Sequence, residues 1–278
     1  MSPHRLPDAL SLLAAGPVGV LAGGTDWYPA LGDAPPPADV LDVTRIDALR
    51  GIGRAADGAV RIGAAATWTD LLRADLPGAF DALKAAAREV GSVQVQNAAT
   101  LAGNLCTASP AADGAPPLLA LGASVELASA RGARTLPLGE FLRGPRDTAL
   151  APDELLVAIL VPAHRPDTRS RFAKLGARRY LVISIATVAL TLELDGERRI
   201  ARAGVAVGSC APTARRLPGL EAALTGRRID DGLAALVEPS RLDVLAPIDD
   251  VRASAAYRLA AVEEVLRRLL DDASGAAW

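Results

Sequence analysis

Asn97-Ala98-Ala99-Thr100-Leu101-Ala102-Gly103-Asn104, continuing as Leu105-Cys106-Thr107-Ala108-Ser109-Pro110-Ala111-Ala112-Asp113, is the stretch that decides how this chain is read. It is crowded with alanine, glycine and short hydroxyl or amide side chains. So bare a backbone lets a large ligand lie along it, with Thr, Ser and Asn donating hydrogen bonds to phosphate or polyol oxygens. A second bend, Leu21-Ala22-Gly23-Gly24-Thr25-Asp26, follows the apolar run Val18–Leu21. Adjacent glycines tolerate positive φ and carry no Cβ, so consecutive amides can converge on an anion. Neither segment is a P-loop, and neither fits the GxGxxG spacing. Each alone reads as an ordinary tight turn; together they make a nucleotide-type ligand an equally good reading. A charge-assisted hydrogen bond contributes about 1.5–3 kcal/mol, so three or four hold a diphosphate without a lysine clamp.

Outward from these bends, the first third of the chain alternates short strands and turns. Val40–Val43 follows the bend at Pro35-Pro36-Pro37, and Val60–Ala64 is a further strand. From Pro77 to Gly91 the pattern is helical, with Phe80, Leu83, Ala87 and Val90 stepping along one face. Val95–Leu105 reads as a loop, and Ala123–Ala128 and Leu155–Val161 as strands. The polar turn His164-Arg165-Pro166-Asp167 is the domain boundary. Beyond it, Val182–Leu194 and Arg199–Val207 form a hairpin through Asp195-Gly196. A final helix carries Leu259, Val262, Leu266 and Leu269, with Asp249 and Asp250 as its caps. The order of elements predicts an α+β protein in two domains rather than a doubly wound parallel sheet.

Composition narrows the function. Half of the 278 residues are hydrophobic but only 3% are aromatic, so the core is built from Ala, Val, Leu and Ile. Thirty basic residues against 32 acidic ones give no basic surplus for nucleic acid, and no stacking platform is visible. Two cysteines and two histidines cannot make a four-thiolate cluster or a His-rich metal site. No run approaches the ~20 apolar residues of a membrane span. Ala9–Gly24 is apolar like a signal peptide core, but Gly16-Pro17 breaks it and no small-x-small cleavage site follows, so a cytoplasmic location is expected.

Both bends resemble the flavin loops of the FAD-binding (medium) subunit of molybdenum hydroxylases, the xanthine dehydrogenase and carbon monoxide dehydrogenase type. The likeness continues through Asp153-Glu154-Leu155-Leu156, Phe172-Ala173-Lys174-Leu175-Gly176 and Ile183-Ser184-Ile185-Ala186, from about Val18 to beyond Cys210. It implies a two-subdomain FAD-binding fold of the vanillyl-alcohol-oxidase type over residues 1–164, split near residue 55. A small α+β domain of the carbon monoxide dehydrogenase flavoprotein C-terminal type would follow over 165–278. By the same resemblance Leu21, Ala22, Gly23, Gly24, Thr25, Asp26 and Trp27 would wrap the pyrophosphate and ribityl chain. Ala99, Thr100, Gly103, Asn104, Thr107 and Asp113 would continue the cradle, Leu156 would pack by the adenine or ring system, and Lys174 would approach the isoalloxazine. No side chain need act as acid or base. Electrons would pass from a molybdopterin site through [2Fe-2S] clusters, both on partner subunits of a heterotrimer, to this FAD and on to NAD+ or another acceptor. A stand-alone flavin reductase on the same fold and a non-catalytic assembly subunit are the alternatives.

Single residues carry a plainer reading beside the functional one. Lys174 would stabilise negative charge on the reduced ring, or is a surface lysine. Asp113 contacts the ligand or caps the Pro116-Pro117 turn. Tyr180 stacks over the flavin or packs at a strand start, and Trp27 covers the cofactor or fills a core or interface. Cys106 reads as a small buried filler, and His164 is assigned no chemistry. Two positions depart from the family pattern: Ala102 stands where glycine is usual, costing about 1 kcal/mol only if φ is positive, and Gln96 where arginine is common.

Overall fold

The computed structural model describes residues 1–230 and 232–274, and the chain separates into two compact units of mixed helix and strand. The first unit comprises Met1–Ala74, Val90–Ala108 and Ala123–Ala163. The second comprises Asp75–Glu89, Ser109–Gly122 and the chain from His164 onward. The division is therefore not a single cut, because two inner segments group with the C-terminal part.

In the first unit a five-stranded antiparallel sheet runs in the order Ile52–Arg54, Val60–Gly63, Leu155–Val161, Ser124–Ser129, Gly132–Pro137. Its middle strand, Leu155–Val161, is apolar throughout, as a strand covered on both faces must be, and only Leu160 keeps partial exposure. A smaller sheet pairs Gly19–Leu21 with Val40–Asp42 in parallel, Gly19 opposite Val40 and Leu21 opposite Asp42. Parallel neighbours need a crossover. Here it contains the Gly-Gly bend, the short helix Trp27–Leu31 and the proline-rich turn. The bend thus leaves the carboxyl end of a parallel strand, the edge at which open sheets of this kind present ligand-binding loops.

The stretch expected to be a loop at Val95–Leu105 is instead two short helices, Val93–Ala98 and Leu101–Thr107, broken at Ala99-Thr100. Hydroxyls explain the difference. Ser92 Oγ accepts the Val95 amide at 3.5 Å, and Thr100 Oγ1 accepts the Gly103 amide at 3.0 Å. Each caps a helix start that the small-residue composition obscures. Ala102 has no positive φ, so its methyl group carries no backbone penalty.

The second unit is a four-stranded antiparallel sheet, Arg169–Leu175, Ala186–Leu194, Ile200–Gly208 and Arg215–Arg216. One face is large: Val188, Leu190, Leu192, Val205 and Val207 pack with Val262, Leu266 and Leu270 of the helix Ala255–Ser274. The other face carries smaller residues, which admits the helix Ala115–Ala120 closely. A Cβ at Gly204 would lie 2.0 Å from the Ala120 carbonyl oxygen, so only glycine fits. The helix Asp81–Glu89 is fastened by Ser170, whose Oγ accepts the Ala82 amide and donates to the Ala79 carbonyl, each at 2.8 Å.

Two sequence expectations need correction here. Val182–Ile185 lies outside the strand, which starts at Ala186. Asp250 does not cap the last helix: it accepts Arg258 at 2.7 Å and Arg252 at 3.0 Å, while Asp249 and Ser254 take the Ala255 and Tyr257 amides. The Asp195 turn forms as its residues require, with Asp195 Oδ1 accepting the amides of Glu197 and Arg199.

Candidate flavin site

In the first unit the two bends meet. A Cβ built on Gly23 would lie 1.9 Å from the Ala98 carbonyl oxygen and 2.8 Å from Ala99 Cα, so backbone rests directly on backbone. Gly24 has φ +72°, the left-handed region, and its empty side faces the Tyr28 ring. Asp26 Oδ2 accepts Thr107 Oγ1 at 3.2 Å, a second tie between the bends. The second bend is anchored from below by Trp68 N donating to the Ala99 carbonyl and Leu101 N to that of Ala66, both at 3.2 Å.

The amides left over define the chemistry. From Ala22 to Trp27, six consecutive backbone N–H groups find no acceptor among the described residues, and neither does the Ala102 amide at the start of its helix. Buried donors without partners are rare in folded proteins, and these lie in a half-buried bend. Unpartnered backbone amides on a glycine-bearing bend are the kind of donors that an anion accepts. The donor set is chemically suited to the diphosphate of a dinucleotide, and Gly23 is what allows the two bends to touch. Leu21, Ala22, Gly23, Gly24, Thr25, Asp26 and Trp27 form one wall; Ala99, Thr100, Gly103, Asn104 and Thr107 belong to the other. Trp27 packs edge-on against Tyr28, ring centroids 5.0 Å apart. Cys106, expected to be a buried filler, is exposed.

In the second unit Asp113 and Lys174 do come together, but with each other. Lys174 Nζ donates to Asp113 Oδ2 at 2.7 Å, and Ser184 Oγ donates to Oδ1 at 2.6 Å. The Lys174 and Asp113 side chains are 7% and 9% exposed. Lys174 is therefore neither a surface lysine nor a bare cation. Asp113 does not cap a turn. Ser184 was missed because a serine ahead of a strand carries no signal by itself. Leu156 is 2% exposed in the middle strand of the first unit. Tyr180 is exposed beneath the Arg179 guanidinium, 5.1 Å from its ring centroid, and is not packed.

His164 has a defined place. Its Nδ1 accepts from Arg202 at 2.7 Å, which leaves Nε2 to donate to the Leu121 carbonyl at 3.1 Å. Burial, together with the Arg202 charge, holds its pKa below the usual histidine value, so the ring stays neutral. Glu154 is gripped by Arg134 through both oxygens at 2.6 and 2.7 Å, which keeps its carboxyl below the ordinary range.

A fold with a backbone cradle for a diphosphate and a separate α+β unit defines a class of flavin-binding protein. Residues 1–164 match the FAD binding domain in molybdopterin dehydrogenase, and residues 171–273 match the CO dehydrogenase flavoprotein C-terminal domain. The chain belongs to this family of flavin-containing oxidoreductase subunits, and its cofactor is FAD. It is 33% identical to the xanthine dehydrogenase FAD-binding subunit of Escherichia coli O157:H7, over 99% of this chain and 96% of that one. It is 29% identical to the carbon monoxide dehydrogenase medium chain of Hydrogenophaga pseudoflava, over 100% and 96%. Among solved structures, a carbon monoxide dehydrogenase from that organism superposes with a TM-score of 0.88 at 27% identity, covering 96% of this chain and 93% of the other.

Proposed function

We propose that the chain is the electron-transferring FAD subunit of a heterotrimeric molybdenum hydroxylase in the cytoplasm. It takes electrons from [2Fe-2S] clusters on one partner, reduced in turn by a large molybdopterin subunit, and delivers them to NAD+ or another acceptor. The run of unpartnered amides from Ala22 to Trp27, set against Ala98-Ala99, is the observation that carries this reading. The names of the relatives support the partners, and the family limits support a division at residue 164. Among the described residues no helix is long and apolar enough to cross a membrane.

Bound FAD supplies reversible electron chemistry that the polypeptide lacks. The chain's own task is to hold and orient. The Ala22–Trp27 amides and the helix start at Thr100-Leu101-Ala102 neutralise the diphosphate, and Thr25, Asn104 and Thr107 offer polar side chains to the polyol chain. The pairing of Lys174 with Asp113 fixes an ammonium in the second unit. No residue is asked to act as acid or base.

Flavin-free protein titrated with FAD in a calorimeter tests the reading. One FAD per chain is expected, released intact on denaturation because neither bend contains a histidine for covalent attachment. Absence of both calorimetric binding and flavin absorption overturns it. Capture of an iron–sulfur and a molybdopterin subunit from the native source tests the assembly; a chain recovered alone from intact cells overturns that part.

A further inference from the structure

A single buried arginine in the second unit ties together the segments that carry Lys174 and Asp113. Arg258 lies near the start of the helix Ala255–Ser274 and is 3% exposed. Its Nη1 donates to the Ile185 carbonyl and, at 3.1 Å, to the Ser209 carbonyl. Its Nη2 donates to Asp250 Oδ1 at 2.7 Å. Asp250 is itself held, because its carboxylate also accepts the Arg252 amide at 2.8 Å and the Arg252 guanidinium at 3.0 Å. Three acceptors on three separate segments therefore fix the plane of the Arg258 guanidinium.

The two carbonyls belong to residues whose amides are fastened to the Lys174 and Asp113 segments. Ile185 N donates to the carbonyl of Leu175, the residue after Lys174, at 2.8 Å. Ile185 also follows Ser184, whose Oγ holds Asp113 Oδ1. Ser209 N donates at 2.9 Å to the carbonyl of Pro110, three residues before Asp113. Ser209 does so with φ +64°, a conformation that L side chains seldom adopt. One guanidinium is thus linked through Ile185 to the strand of the lysine and through Ser209 to the segment of the aspartate.

We propose that Arg258 is a positioning residue for the Lys174–Asp113 pair: by clasping Ile185 and Ser209 it keeps the two segments in register and holds the ammonium in one place. Stability alone is a poor reason for an arginine here. A buried guanidinium is costly beside an apolar side chain of similar volume, and Nε finds no partner among the described residues. What arginine adds is a planar set of donors at fixed angles, which reaches several acceptors at once. The inference rests on the proposed function only where the held ammonium is taken to favour reduced FAD.

The sequence makes the test direct, because its only lysines are Lys84 and Lys174. Lys84, on the helix Asp81–Glu89 of the same unit, serves as the internal reference. FAD-loaded and flavin-free protein are each labelled with acetic anhydride, and the rate at each lysine is read by peptide mass spectrometry. Arg258→Met should raise the Lys174 rate about tenfold relative to Lys84, the size of an ordinary coupling within a hydrogen-bonded network. Arg258→Lys should fall between the two, since an ammonium serves a carbonyl without the planar fork. Asp250→Asn, which keeps the guanidinium but loosens it, should give a smaller rise, and it decides the matter if Arg258→Met does not fold. An unchanged Lys174-to-Lys84 ratio overturns the proposal, and so does an equal increase at both lysines, which would be general loosening. In the FAD-loaded protein the midpoint potential should fall wherever the ratio rises, because a displaced ammonium stabilises the reduced flavin less. A raised ratio with an unmoved potential upholds the role of Arg258 and removes Lys174 from the flavin. A protein that takes up no FAD fails the flavin reading alone, since the labelling stands without it.

Discussion

The bends at Ala22–Trp27 and Ala98–Ala102 and the cluster of Asp113, Lys174 and Ser184 are both polar, and they settle that polarity in opposite ways. In the bends a run of amides is left without protein partners among the described residues. In the cluster every charge is matched, the ammonium by a carboxylate and the carboxylate's second oxygen by a hydroxyl. Amides without protein partners are donors still available to an anion. A closed pair inside the protein behaves as a strut, whose removal is felt by folding before it is felt by any ligand.

The largest effect separating the two regions should come from Asp113→Ala. It strands a buried ammonium and should cost about 3–5 kcal/mol in urea unfolding, whereas the double replacement Asp113→Leu with Lys174→Met should recover most of that. A cost under about 1 kcal/mol would show that Lys174 is free to serve a ligand, and the contrast would dissolve. Gly23→Ala comes next. Its methyl group meets backbone rather than a movable side chain, so a loss of about 1–3 kcal/mol is expected together with a weakened FAD titration. Unchanged FAD affinity would mean that the two bends do not act jointly.

Thr100→Ala removes a helix cap and should cost about 1 kcal/mol, with Thr100→Ser close to the parent in thermal unfolding. The smallest effect belongs to His164. Because its folded pKa is depressed, the unfolded chain binds the proton more readily. Its contribution is complete above about pH 6.5 and is lost as pH falls below that through the folded value. His164→Gln should flatten that part of the stability–pH curve; an unaltered slope would assign the acid sensitivity elsewhere.

The two bends were legible because glycine and alanine leave the backbone bare. Gly23-Gly24 after an apolar run announces a bend, and the strands that begin at Val60, Leu155 and Ile200 are β-prone runs bounded by turn residues. The helices at Val93–Ala98 and Leu101–Thr107 were hidden, since their starts depend on single hydroxyls at Ser92 and Thr100 rather than on periodicity. A leucine in an apolar strand looks the same in sequence beside a ligand as beside another leucine, so the burial of Leu156 was not legible. The exposure of Cys106 and the neutral tautomer of His164 depend on neighbours distant in the chain.

The sequence by itself determined the α+β character, the two bare bends and, through its likeness to a known family, the cofactor. These are local properties: backbone freedom, alternation and turn chemistry act over a few residues, and a linear reading reaches them. Only the tertiary structure decided that Gly23 touches Ala98, that Lys174 spends its charge on Asp113 and that Arg258 clasps the carbonyls of Ile185 and Ser209. Each of these is a matching of groups separated by tens of residues. Which donors remain unmatched depends on the packing of the whole fold and cannot be read from any one segment.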